Sequence, residues 1–187
     1  MVDKPRLFQT CKLQRQDKER AMAEGKRHSY AAKVVWTGAA EGPTRDYKSY
    51  SRAHRIEIAG KPPIEGSADP AFLGDPSRHN PEDLLVASLS ACHMLWYFHL
   101  CAVKGVAVTA YEDDAVGTMV EASGPGDTRG RMTEVILRPR VTITAGSDPE
   151  VARSLHERAH HECYIANSMN FPVRCEPEIV VETVMVA

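Results

Sequence analysis

Apolar positions along this chain fall into a few segments with distinct periods. His28 to Trp36 alternates, with Tyr30, Ala32, Val34 and Trp36 on one face, the period of a half-buried strand. Gly42-Pro43 breaks that pattern, and His54 to Ala59 resumes it, with Ile56 and Ile58 set against Arg55 and Glu57. Gly60 to His79 carries four prolines and three glycines without a period, and reads as a loop. A helix then opens with Asn80 as N-cap, Pro81 at the first helical position, and Glu82 and Asp83 at the positive end of the dipole. It runs to about Val103 and stops at Lys104-Gly105. Val106 to Ser123 and Arg131 to Thr144 read as strands joined by a Gly124-Pro125-Gly126-Asp127 turn, with Pro139 marking a bulge or an edge. A second helix starts at Asp148-Pro149 and continues to about Cys163, with Val151, Leu155 and Ala159 on its buried face. Phe171 to Val186 is a final strand region. The order β-β-α-β-β-α-β predicts an α+β domain with antiparallel pairing.

The central helix sets the oligomeric expectation. Leu84 to Val103 has no formal charge over twenty residues, close to the length that spans a bilayer. Ser88, Ser90, Cys92, His93 and His99 interrupt it, and amphipathic strands follow at once. A soluble helix buried on all faces therefore fits better than a membrane span. One chain of 187 residues hardly covers such a helix alone, so an intimate dimer is expected. Residues 1–27 are polar and mixed in charge, an arm open to disorder that precedes a single domain over 28–187. The arm lacks the apolar stretch of a secretory signal, and a cytoplasmic location is expected. A formal net charge of −2 argues against a nucleic-acid binder.

Five cysteines, at 11, 92, 101, 163 and 175, are too few and too scattered for a secreted disulfide framework. Cys92 lies mid-helix, where a thiol is either a small core hydrophobe or, if reactive, dependent on a cation from another segment. Cys101 is nine residues further along the same helix, about 13.5 Å away on the opposite face. A Cys92–Cys101 disulfide is thereby excluded. Cys163, at the end of the second helix, is under no such constraint. Cys175 lies in a strand pattern and suits a packing role. The histidines admit a second chemistry: His93, His156, His160 and His161 with Cys92 and Cys163 are zinc-ligand types, although no C-x-x-C or H-E-x-x-H spacing occurs.

Two motifs carry a family resemblance. Asn80-Pro81-Glu82-Asp83-Leu84-Leu85 continuing to Ser90-Ala91-Cys92-His93 resembles the central helix of the OsmC/Ohr family, the osmotically inducible and organic hydroperoxide resistance proteins. Ala159-His160-His161-Glu162-Cys163 resembles that family's second-cysteine motif, and the likeness spans roughly Tyr30 to Val186. His93 and Tyr164, following the two cysteines, point to the OsmC-like branch. The resemblance implies antiparallel sheets around a long buried helix, an intertwined homodimer with sites at the subunit interface, and thiol-dependent reduction of organic hydroperoxides in the oxidative stress response. Cys92 falls on the peroxidatic position and Cys163 on the resolving one, joined as a disulfide during turnover. Glu82 falls on the acidic residue that orients an active-site arginine. Arg45 is the best match for that arginine, with Arg52 and Arg55 as rivals. No bound cofactor is implied, only an external dithiol reductant of lipoyl type, and no metal, nucleic acid or membrane. The competing readings are a non-enzymatic module holding a small apolar ligand and a Cys/His zinc site.

Overall fold

The computed structural model describes residues 26–122 and 129–183. The N-terminal arm as far as residue 25, with Cys11, lies outside the described residues, as do the glycine-proline turn at 123–128 and residues 184–187. Among the described residues, nine strands form three three-stranded sheets around two α-helices. Strands β1 (Lys33–Trp36), β2 (His54–Glu57) and β3 (Ile64–Gly66) make an antiparallel sheet in the order β1-β2-β3. Strand β1 is shorter than its alternation predicts, and its apolar face is open: Tyr30 is 93% exposed and Val34 65%. The loop expected at residues 60–79 contains β3 and a 3-10 turn at Pro70–Phe72. Gly66 keeps the β3 signal weak, and the His54 ring fills the space a Cβ would need there.

Helix α1 (Pro81–Lys104) forms where the sequence places it, because both ends are chemically closed. The Asn80 side chain accepts from the Asp83 N–H at 2.7 Å while the Asp83 carboxylate accepts from the Asn80 N–H, a reciprocal capping box. Gly105 ends the helix in the left-handed region at φ 73°, a conformation without penalty only for glycine. Leu89, His93, Tyr97, Leu100 and Cys101 form its one buried stripe. The other side is open, with Leu95 63% and Val103 66% exposed. Burial on all faces is thus not achieved within one chain, since α2 and the sheets reach a single side. By length and composition alone, α1 is the one helix among the described residues that could cross a membrane.

Each of the three strand regions expected after α1 bends into two strands. Val106–Ser123 becomes β4 (Val108–Asp113) and β5 (Val116–Val120); Arg131–Thr144 becomes β6 (Arg131–Leu137) and β7 (Pro139–Ile143); the C-terminal region becomes β8 (Val173–Cys175) and β9 (Glu178–Val181). The bends fall side by side. At that line the Asp113 carboxylate accepts from the Arg138 N–H at 2.6 Å, and the Glu176 N–H donates to the Leu137 carbonyl at 2.9 Å. Pro139 starts β7 rather than interrupting a strand, where its missing N–H costs little. The resulting sheets are β4-β7-β9 and β5-β6-β8. Antiparallel pairing holds for β4–β7 and β5–β6, but β6–β8 and β7–β9 are parallel, because helix α2 (Pro149–Glu162) returns the chain to the same end. Inside, Leu89 meets Val135 and Leu137, while Tyr97, Leu100 and Cys101 meet Val141, Ile143, Ala152, Leu155 and Ala159.

The capping box generates a direct expectation. Asn80→Ala should lower unfolding stability by about 1 kcal/mol, with Asn80→Ser recovering most of it. Urea titration checks this; an unchanged midpoint for the alanine variant would show that the cap contributes nothing.

Candidate active site

The packing of α2 on α1 brings two thiols together. Cys92 is half-buried in the middle of α1. Cys163 caps the C-terminus of α2 in an extended conformation and is 1% exposed. The Cys92 side chain neighbours the Cys163 thiol, and the Ala166 N–H donates to the Cys163 sulfur at 3.5 Å. Burial, reinforced by the neighbouring Cys92, pushes the Cys163 thiol up to about 11. It therefore stays protonated near neutrality. Cys101 turns the other way, into the core beside Tyr97, where burial raises its thiol too.

Glu82 belongs to a different place. It lies ten residues before Cys92 on the same helix, a separation of about 15 Å that side chains of this size do not bridge. Glu82 instead lines a cavity of about 530 Å³ with Trp36, Thr44, Tyr50, Arg52 and Asp69. Arg52 is fixed there. Its guanidinium donates to the Tyr47 and Tyr50 carbonyls and stacks 4.0 Å from the Tyr50 ring centre and 5.0 Å from that of Tyr47. Arg45, the better match by sequence, is exposed on a turn where its backbone N–H donates to Ser49 Oγ at 3.1 Å. Arg45 does not line the Glu82 cavity. Arg55 is taken up by an ion pair to Glu65 at 2.6 Å. The geometry thus gives two halves, a thiol pair and an Arg52–Glu82 cavity, at separate points of one chain.

A third constellation was not expected in this form. His93 Nε2 and His156 Nδ1 lie 3.0 Å apart, and Cys175 Sγ lies 3.6 Å from the first and 3.9 Å from the second. His93 is 1% and His156 2% exposed, their rings nearly parallel, with Tyr97 stacked on His156 at 3.9 Å. Burial holds His93 down at about 4, with His160 adding to it. Burial holds His156 at about 3, with His93 and Arg153 adding to it. Both rings are neutral near pH 7, and burial pushes the Cys175 thiol up to about 12. A zinc-type ligand set built on Cys92 and Cys163 does not form. Among the described residues, the donor atoms within 4.8 Å of one another are those of His93, His156 and Cys175. Cys175 packs against the Leu89, Val135 and Leu137 cluster, as expected of its strand pattern, and its sulfur also faces the two histidines. Its inward phase, facing the two histidine-bearing helices, was the available signal.

Residues 74–178 match the family model for OsmC-like proteins. Among solved structures, an OsmC-like protein of unknown function from Vibrio cholerae is 32% identical, covers 81% of this chain and 99% of its own, and superposes with a TM-score of 0.72. An organic hydroperoxide resistance protein from Legionella pneumophila, 17% identical, covers 84% of this chain and all of its own at a TM-score of 0.60. One from Bacillus subtilis, 21% identical, covers 80% of this chain and 98% of its own at 0.52. No curated protein matches the sequence.

The burial of Cys163 has a measurable consequence. In residue-resolved alkylation of the reduced protein, Cys163 should react with a pH midpoint near 11, against about 8.5 for an ordinary thiol. A midpoint at the ordinary value would mean that water reaches this sulfur freely.

Proposed function

The chain belongs to the OsmC-like protein family, and on that premise we propose that it is a thiol-dependent peroxidase reducing organic hydroperoxides to alcohols. The observation that carries the reading is the meeting of Cys92 and Cys163 at the contact of the two helices. Two thiols from elements distant in sequence, one half-open and one closed to solvent, suit an attacking and a resolving sulfur. The Cys92 thiolate attacks the terminal peroxide oxygen and the O–O bond breaks. The departing alkoxide takes a proton and leaves as alcohol, with Cys92 oxidised to a sulfenic acid. The Cys163 sulfur then attacks the Cys92 sulfur, a disulfide forms, and water is released. An external dithiol reduces the disulfide by two successive exchanges. The protonated state of Cys163 keeps it from competing for peroxide in the first step.

A mid-helix thiolate needs a fixed positive charge, and helix geometry keeps Glu82 and the Arg52 cavity about 15 Å from Cys92 of the same chain. The complete site is therefore made by two copies: Cys92 and Cys163 from one, Arg52 oriented by Glu82 from the other. The open face of α1 and the exposed Val34, Trp36 and Leu95 give such a dimer apolar surface to bury. Arg52 takes the role in preference to Arg45, since it lines the cavity with Glu82 and is already held in place. Neighbours named for organic hydroperoxide resistance support the reaction class.

Peroxide stoichiometry tests the chemistry. Cys92→Ser should consume none above background; Cys163→Ser should consume about one equivalent and trap a sulfenic acid at Cys92. Sustained turnover by both variants would end the peroxidase reading. Arg52→Ala should lower kcat/KM by about 100-fold and Arg45→Ala far less. Complementation tests the shared site. Co-expressed Cys92→Ser and Glu82→Gln chains should regain up to about a quarter of wild-type activity, because half the dimers are mixed and each holds one intact site. No recovery would place the four residues within one chain.

A further inference from the structure

The thiol pair leaves one buried group of reactive side chains unused. His93 comes from α1, His156 from α2 and Cys175 from β8, so three elements far apart in sequence converge on one point. A hydrogen bond between two neutral imidazoles accounts for the 3.0 Å separation but leaves the remainder of both rings unexplained. His93 Nδ1 and His156 Nε2 are buried without a partner among the described residues, and so is His160 Nδ1 close by. In a neutral pair joined by one hydrogen bond, one outer nitrogen is then a buried N–H and the other a buried lone pair, both unmet. A metal on the two inner nitrogens would leave both outer nitrogens as N–H groups, so it is the spacing of the inner donors that distinguishes a metal site from a hydrogen-bonded pair.

The donor spacing has a specific match. A tetrahedral zinc ion, about 2.05 Å from nitrogen and about 2.3 Å from sulfur, separates two nitrogens by about 3.3 Å and nitrogen from sulfur by about 3.6 Å. The three observed edges are 3.0, 3.6 and 3.9 Å. We propose that His93 Nε2, His156 Nδ1 and Cys175 Sγ form a binding site for a divalent zinc-class metal ion, separate from the Cys92–Cys163 pair. Imidazole and thiolate donors favour such an ion over calcium or magnesium. A cavity of about 300 Å³, lined by Arg153, His156, Glu157, His160, Cys175 and Pro177, reaches the cluster and provides an entry path. His93 directly follows Cys92 on α1, so the ion would tie the peroxidatic stretch of that helix to α2 and β8.

Cobalt(II) is the probe. Full-length reduced protein, stripped of metal, should take up one Co²⁺ per chain, with a thiolate-to-cobalt charge-transfer band and the intense ligand-field bands of four-coordinate cobalt. Zn²⁺ should bleach both. Cys175→Ser should abolish the charge-transfer band and weaken binding at least tenfold, while a Cys92→Ser/Cys163→Ser double variant keeps both. In wild type, without any substitution, Zn²⁺ should protect Cys175 from alkylation and leave Cys101 unprotected. A band that survives in Cys175→Ser and vanishes in the double variant would move the metal to the peroxidatic pair and overturn the proposal. No uptake by wild type, or no protection of Cys175, would overturn it equally. Because the double variant lacks both peroxidatic thiols, failure of the metal site and failure of the peroxidase reading are read separately.

Discussion

The contact between the two helices governs everything else of consequence in this molecule. Tyr97 lies face to face with His156 at 3.9 Å and donates its hydroxyl to the Ala152 carbonyl at 3.1 Å. That pair fixes both the rotation of α1 and its position along α2. With Tyr97 in place, His93 one turn earlier must meet His156, and Cys92 is presented beside the end of α2 where Cys163 sits. A tyrosine buried to this degree is held by its hydroxyl's bond to the Ala152 carbonyl, because an unmet hydroxyl in the core costs roughly 1–3 kcal/mol. The thiol pair and the histidine cluster are thus two results of a single docking event.

The same docking explains why one chain leaves its chemistry divided. A straight helix transmits position faithfully, and α1 carries Glu82 at one end and Cys92 at its middle. Nothing folds it back. Glu82 and Cys92 are held apart by the backbone hydrogen bonds of the helix between them. Apolar side chains spread over the uncovered side of α1 and the face of β1 are the surface that the proposed pairing of two copies would bury.

Much of this was legible in the sequence, and the reasons differ by element. Asn80-Pro81-Glu82-Asp83 declared a helix start because capping is local chemistry, satisfied within four residues. The stop at Gly105 was legible for the same reason. Alternation located the strand regions of the second half, yet alternation survives a bend, so the breaks after Asp113 and at Glu176 went unseen, and only Pro139 marked the one at Arg138. Parallel pairing of β8 and β9 has no local signature at all; it follows from where α2 delivers the chain. For the site, spacing along one helix correctly removed Cys101. That Arg52, and not Arg45 or Arg55, lines the cavity with Glu82 depends on a loop whose path sequence does not encode, and on two tyrosine rings that seat Arg52. Cys175 packs against the Leu89, Val135 and Leu137 cluster as its strand pattern suggested, but its two histidine neighbours were not legible, because they come from helices more than eighty and nearly twenty residues away.

The three matched bends constrain how chain length can vary. Register carries through them without slipping: Val116 faces Ile136 on one side of the line and Asp113 faces Pro139 on the other. The parallel pairs do the same, with Leu137 opposite Cys175 and Arg140 opposite Glu178. Residues between Ile143 and Val173 connect two sheets already in step, so insertions in that connection can be absorbed away from α2. One residue added between Cys175 and Glu178 cannot, since it would turn every side chain of β9 to the wrong face of its sheet. The short step Glu176-Pro177 is therefore a ruler, and its length is set by Arg138 on the neighbouring strand.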